Sequence, residues 1–206
     1  MSNIGNLGLQ GVTLQPKFMF GINGALHNNL FVIEDKKLLY VAGHNVIIYN
    51  PEEQSQFFIP ASEGTEGINH IALSPAKKWL AICERGPQRA QVTTYNLQTR
   101  KRGKVIPEEG QEVDYKCQEF IGAAFCPKEE KKNLLTLCGE PDFKVILWCH
   151  EKFQMLAQMP LGIVDPPPGA SFQISYVNAS TTLNCAVTGP DCFRFLSVNA
   201  NGSDGF

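Results

Sequence analysis

The sequence predicts an all-β fold: a partial WD40-type β-propeller with three complete four-stranded blades and an incomplete fourth. Three observations predict it. A β-branched or apolar run around an aromatic recurs four times, as Val46-Ile47-Ile48-Tyr49-Asn50, Val92-Thr93-Thr94-Tyr95-Asn96, Val145-Ile146-Leu147-Trp148-Cys149 and Cys192-Phe193-Arg194-Phe195-Leu196. The aromatics at 49, 95, 148 and 195 are 46, 53 and 47 residues apart, close to the periods of about 40–45 residues in WD repeats and about 50 in kelch repeats. Around each lie short apolar runs closed by turn residues, and no segment shows a helical period.

The elements follow in chain order. Residues 1–16, rich in glycine and asparagine, read as a flexible N-terminal tail, with 18–20 as a candidate outer strand for some other sheet. The first blade, about 26–59, takes strands at 26–33, 37–42, 45–50 and 54–59, with tight turns at Glu34-Asp35 and Gly43-His44. The second, about 67–106, is the clearest. Its first run stops at Ser74-Pro75, because proline fixes its backbone angle and has no amide hydrogen for a ladder. Its second run, 79–83, ends in the breaker Glu84-Arg85-Gly86-Pro87, and strands at 91–97 and 101–106 complete it.

A polar connection over 107–118 precedes the third blade, about 119–159, with strands at 119–126, 133–138, 143–149 and 153–159. Its turn Gly139-Glu140-Pro141-Asp142 stands where many WD repeats place a glycine and an aspartate. The stretch 160–170, with Pro166-Pro167-Pro168, reads as a stiff polyproline linker. The incomplete fourth blade, about 171–198, has strands at 171–177, 182–188 and 192–198, and 199–206 is a C-terminal tail of turn residues. The Trp-Asp ending of a WD repeat is replaced by Tyr-Asn, Tyr-Asn, Trp-Cys and Phe-Leu. These blades are therefore expected to depend on apolar packing more than on a buried polar network.

Composition narrows the function classes. The 206 residues are 43% hydrophobic and 18% charged, which suits a packed core and excludes disorder. A net charge of −2 predicts no general affinity for nucleic acid or anionic membrane. The opening MSNIGNLGLQ has no basic and apolar regions of a secretory signal, and no run reaches the length of a membrane span. The seven cysteines, an odd number with several inside predicted strands, read as reduced thiols packed as small apolar groups in a reducing compartment. In that compartment the sequons Asn178-Ala-Ser180 and Asn201-Gly-Ser203 are chance matches.

Nothing in the sequence builds a reaction centre. The histidines, at 27, 44, 70 and 150, lie in no metalloprotease, zinc-finger or nucleophile-elbow pattern. Cys149 and His150 are adjacent in a strand and point to opposite faces, so core cysteines and a solvated histidine are expected rather than a zinc site. No glycine-rich phosphate loop opens a helix. The expectation is no enzyme, no cofactor and no metal.

The densest charge is Arg100-Lys101-Arg102 with Lys104. The plain reading is a charged outer strand that resists edge-to-edge association. The sharper one is contact with an acidic partner, for which the acidic tails of tubulin are a candidate.

The strings LHNNLFVIEDKKLLYVAGHNVIIYN, FFIPASEG, INHIALSPAKKWLAICERG and NLLTLCGEPDFKVILWCHEKFQMLAQ resemble the N-terminal propeller of the cilia- and flagella-associated protein 57 family, over roughly 18–196. The resemblance implies a non-catalytic scaffold of the motile ciliary axoneme, in cytoplasm and cytoskeleton, that docks or positions inner-arm dyneins. Its implied partners are dynein arm components, tubulin or other axonemal scaffolds, with no nucleic acid and no membrane. The family's coiled coil and later blades are absent here, which suggests a short form or a fragment. A cytosolic WD adaptor, such as a ligase substrate receptor, is the alternative within binding proteins; a propeller hydrolase is the alternative among enzymes.

Overall fold

Fifteen strands and no helix make up the described residues of the computed structural model, which are 16–34, 36–108, 110–128, 130, 132–177 and 183–198. The expected tails at 1–16 and 199–206, apart from Pro16, and both sequons lie outside them. The strands form four antiparallel meanders, three of four strands and one of three, and none closes into a barrel. The all-β, partial-propeller class read from the sequence is the class observed. The chain divides into two units at Gly64 and Thr65.

The first unit holds β1 (Leu30–Ile33), β2 (Lys37–Ala42), β3 (Asn45–Asn50) and β4 (Ser55–Pro60) in that spatial order. Gly43, at φ +56°, makes the two-residue turn that sets Ala42 opposite Asn45. Period-two alternation and the pairing of Val41 with Val46 put Leu39, Val41 and Val46 on one face, out of solvent. β1 starts at Leu30 rather than 26, because the Asn29 side chain takes over the bonding there. It accepts from Val41 N at 2.7 Å and donates to Asn23 O at 2.7 Å. Residues 18–20 are not a strand. The Gln56 side chain accepts from Met19 N at 2.7 Å and donates to Met19 O at 3.0 Å, meeting backbone groups a ladder would otherwise use.

The second unit holds three sheets. β5 (Gly67–Leu73), β6 (Trp79–Arg85), β7 (Gln91–Asn96) and β8 (Lys101–Ile106) form the first; β9 (Phe120–Phe125), β10 (Asn133–Cys138), β11 (Lys144–Cys149) and β12 (Gln154–Pro160) form the second. β13 (Gln173–Val177), β14 (Leu183–Gly189) and β15 (Cys192–Val198) form the third. The leading strands β5, β9 and β13 pack side by side, which sets the sheets around a common inner edge. Asn69 Nδ2 donates to Phe120 O at 2.5 Å across the first of these contacts, and the His70 ring bonds the backbone of Ala123.

Two cores flank β10, every residue of which is buried. Leu134, Thr136 and Cys138 face one way, toward Phe120, Tyr115, Trp148, Val92 and Ile106. Leu135 and Leu137 face the other, toward Phe143, Phe172, Ile174 and Val187. Tyr115, Phe120 and Trp148 meet with ring centroids 5.6 to 6.5 Å apart. Beside this apolar packing the third blade makes a few separate polar contacts. Trp148 Nε1 donates to Thr136 Oγ1 at 2.8 Å with both residues fully buried. Asp142 Oδ2 accepts from Lys116 N at 2.6 Å and Cys117 N at 2.7 Å, tying the 107–118 connection to the β10–β11 turn. The aspartate needed its turn position, not a following Trp-Asp pair.

His150 is likewise a core residue rather than a solvated one. Its ring lies 5.2 Å from that of Trp79 and 5.5 Å from that of Phe125, and Nε2 is 2.7 Å from Glu130 O. Burial lowers its pKa. The same cause lowers that of His70 to about 4.

Two outcomes follow from these cores. Thr136→Val leaves the Trp148 indole N–H buried without its acceptor and lowers unfolding free energy by about 1–3 kcal/mol in urea titration. In the unfolded chain His70 takes a proton near 6.5, and in the folded chain only near 4. Stability is therefore full above about 6.5 and declines as pH falls to about 4, by at most about 3 kcal/mol from this residue. His70→Gln flattens that part of the pH profile.

Candidate interaction surface

β8 carries the basic residues and is the outermost strand of its sheet, paired only with β7. Its path is set by a bulge between Thr93 and Tyr95 and by Gly103, where a Cβ would sit 2.8 Å from Thr94 Oγ1. The four cations of the sequence patch do not act alike.

Arg102 turns inward along the sheet. Its Nη2 lies 3.4 Å from Oε1 of Glu84, a carboxylate with no solvent exposure. Thr93 Oγ1 and Gln91 Nε2 approach Glu84 Oε2 at 3.3 and 3.4 Å. Period-two alternation places Glu84, Gln91, Thr93 and Arg102 on one sheet face, so three strands join at a single carboxylate. The charge of Glu84, after burial, also helps raise the pKa of the neighbouring Cys83 thiol. Reading Glu84-Arg85 as a breaker missed this residue, since β6 runs on to Arg85. The signal was an arginine on a neighbouring strand, invisible without the register.

Lys104 also has local partners. Its Nζ is 2.6 Å from Glu108 Oε1 and 5.2 Å from the centroid of the Phe153 ring. Arg100, at φ +54°, closes the β7–β8 turn, and Lys101 opens β8; both are exposed. Lys77 and Lys78 join them in space. They lie exposed on the β5–β6 turn, and Leu97 N donates to Lys78 O at 2.9 Å. Ser74 builds that turn, its Oγ accepting from Lys78 N at 3.2 Å and Trp79 N at 3.0 Å.

The opposite end of this unit differs. A cleft of about 630 Å³ opens there, with Ile121, Phe143, Phe172 and Pro166–Pro168 in its wall. At its rim Arg85 bridges Glu66 at 3.0 Å and Glu119 at 3.5 Å. Among the described residues no group of three or more His, Cys, Asp or Glu side chains is placed to hold a metal.

The chain aligns with mouse (Mus musculus) cilia- and flagella-associated protein 57 at 29% identity over 188 residues, 90% of this chain and 14% of that protein. The curated relatives of this chain are cilia- and flagella-associated proteins. Cilia- and flagella-associated protein 57 C of Tetrahymena thermophila matches at 28% over 87% of this chain and 14% of its own length. Mouse cilia- and flagella-associated protein 44 matches at 26% over 63% of this chain and 6% of its own. The resemblance read from the sequence strings is thus the one the comparison returns, and the chain spans about 14% of the first two relatives. No family model matches the chain. A solved chain of Kuenenia stuttgartiensis hydrazine synthase gives a TM-score of 0.49 at 12% identity, covering 82% of this chain and 48% of that one.

Arg102→Gln removes the guanidinium that faces the buried Glu84 carboxylate. The expected loss is about 2–3 kcal/mol in chemical denaturation, less than for a wholly buried pair because the Arg102 side chain is 30% exposed. Adding Glu84→Gln restores part of that loss, and a double-mutant cycle reads the coupling.

Proposed function

We propose that this chain is a non-catalytic WD-repeat scaffold segment of the motile ciliary axoneme. The observation that carries the reading is similarity to cilia- and flagella-associated proteins over nine-tenths of the chain. Its fold supports the same reading. The sheets of the second unit present loops and sheet edges at their two ends, a broad surface that suits protein contacts. The described cysteines are buried, and burial raises the pKa values of Cys83 and Cys185, which suits packing rather than nucleophilic attack.

The partners in this reading are axonemal proteins: inner-arm dynein components, whose docking or positioning the scaffold supports, and tubulin. Arg100, Lys101, Arg102 and Lys104 enter it in two groups. Arg102 and Lys104 maintain the outer strand through Glu84 and Glu108, while Arg100 and Lys101 are placed for contact with an acidic partner.

Isolated cilia, extracted with detergent and compared with deciliated cell bodies, test the location. An antibody to the peptide 99–111 is expected to detect the protein in the extracted axonemes. Signal confined to cell bodies overturns the axonemal assignment and favours a cytosolic adaptor.

A further inference from the structure

The second unit is electrically polar along its strands. Strand direction assigns its turns to two ends: the β5–β6, β7–β8, β9–β10 and β11–β12 turns share one, and the connections before β9 and β13 share the other. At the first end the β5–β6 turn contributes Lys77 and Lys78, the β7–β8 turn contributes Arg100, and the start of β8 contributes Lys101. The neighbouring sheet adds Lys128 and Lys132 from its β9–β10 turn and Lys152 from its β11–β12 turn, all exposed. Against these stand only Glu130 and Glu151 among the described residues of those turns.

Glu130 is partly committed to structure. Its Oε1 accepts from Ala76 N at 2.8 Å, linking the β5–β6 turn of one sheet to the β9–β10 turn of the next. Its carbonyl meets the His150 ring, and Lys132 O accepts from His150 N at 2.8 Å. The cations of two sheets are therefore held on one continuous rim. The opposite end carries the reverse balance, with Asp114, Glu119, Glu140, Asp142, Asp165 and Asp191 among its carboxylates.

We propose that this lysine-rich rim, formed where the β5–β6, β7–β8 and β9–β10 turns meet, is a docking surface for an acidic, glutamate-rich polypeptide segment. Charge complementarity selects the sign of the partner, and the arrangement selects its kind. The cations sit on separate turns across two sheets, a spacing that a flexible acidic segment can follow. A nucleic acid is the less favoured class, because the chain as a whole carries a net charge of −2. The rim differs from the run legible in the sequence: it takes in Lys78 and Lys132 and leaves out Arg102 and Lys104. It rests on the acidic-partner reading of Arg100 and Lys101, but because binding is measured on purified protein its failure is distinct from a failure of the axonemal location.

The test is fluorescence anisotropy of a fluorescein-labelled oligoglutamate peptide titrated with the full chain at low salt, about 50 mM. Binding is expected to weaken as salt rises. Lys78→Gln with Lys132→Gln should reduce affinity about threefold or more, while Lys116→Glu, which changes net charge equally at the opposite end, should leave it within about twofold. The triple reversal K78E/K101E/K132E should reduce it at least about tenfold. If that variant does not fold, judged by circular dichroism, the double glutamine variant decides. No binding by the unmodified chain, or equal loss in both charge-matched variants, overturns the proposal. Tighter binding to a single-stranded oligonucleotide of equal charge, with the same variant sensitivity, also overturns it and assigns the rim to nucleic acid.

Discussion

A four-stranded antiparallel sheet has two faces, and in this fold only a neighbouring sheet can dry them. That constraint shapes the second unit. β10 shows it most fully: all six of its residues are buried, with alternate side chains committed to different cores. The polar atoms on such a strand must find partners within the blade. On β10 Thr136 meets the Trp148 indole, and beyond the strand's end Asp142 takes the amides of Lys116 and Cys117 from the preceding connection. The blades therefore combine apolar packing with a few satisfied polar contacts, each of which fixes the position of a loop or a large ring.

The same requirement explains what could be read in advance. Strand runs announce themselves through β-branched residues and turn chemistry, both local, so the runs around Tyr49, Tyr95, Trp148 and Phe195 appear as β3, β7, β11 and β15. What escaped the sequence was pairing at a distance. Glu84 beside Gly86-Pro87 looks like the start of a loop, and only the register with β7 and β8 turns it into a buried carboxylate shared by three strands. His150 looks like the polar end of a strand until Trp79 and Phe125 close around it. The basic run was visible as composition, but its division into Arg102 and Lys104, turned to carboxylates, and Arg100 and Lys101, left at the turn, follows from strand geometry.

Charge follows topology in the same way. Meandering strands return every second turn to the same end, so residues far apart in sequence collect there without forming a motif. Lys78 and Lys132 are separated by more than a whole blade in sequence, yet Glu130 links their turns through Ala76 N. The repeat thereby offers a surface whose character depends on its turns while the strands serve the core. Exposed side chains at one end can change without disturbing Trp148 or β10.

The buried cysteines have a practical consequence. All seven cysteines are buried and in the reduced, unbridged form, and they are spread from β6 to β15. A reagent that must reach sulfur can modify them only when the surrounding sheet opens. The second unit thus contains its own clock for local opening, with Cys83, Cys138 and Cys192 reporting on three different blades.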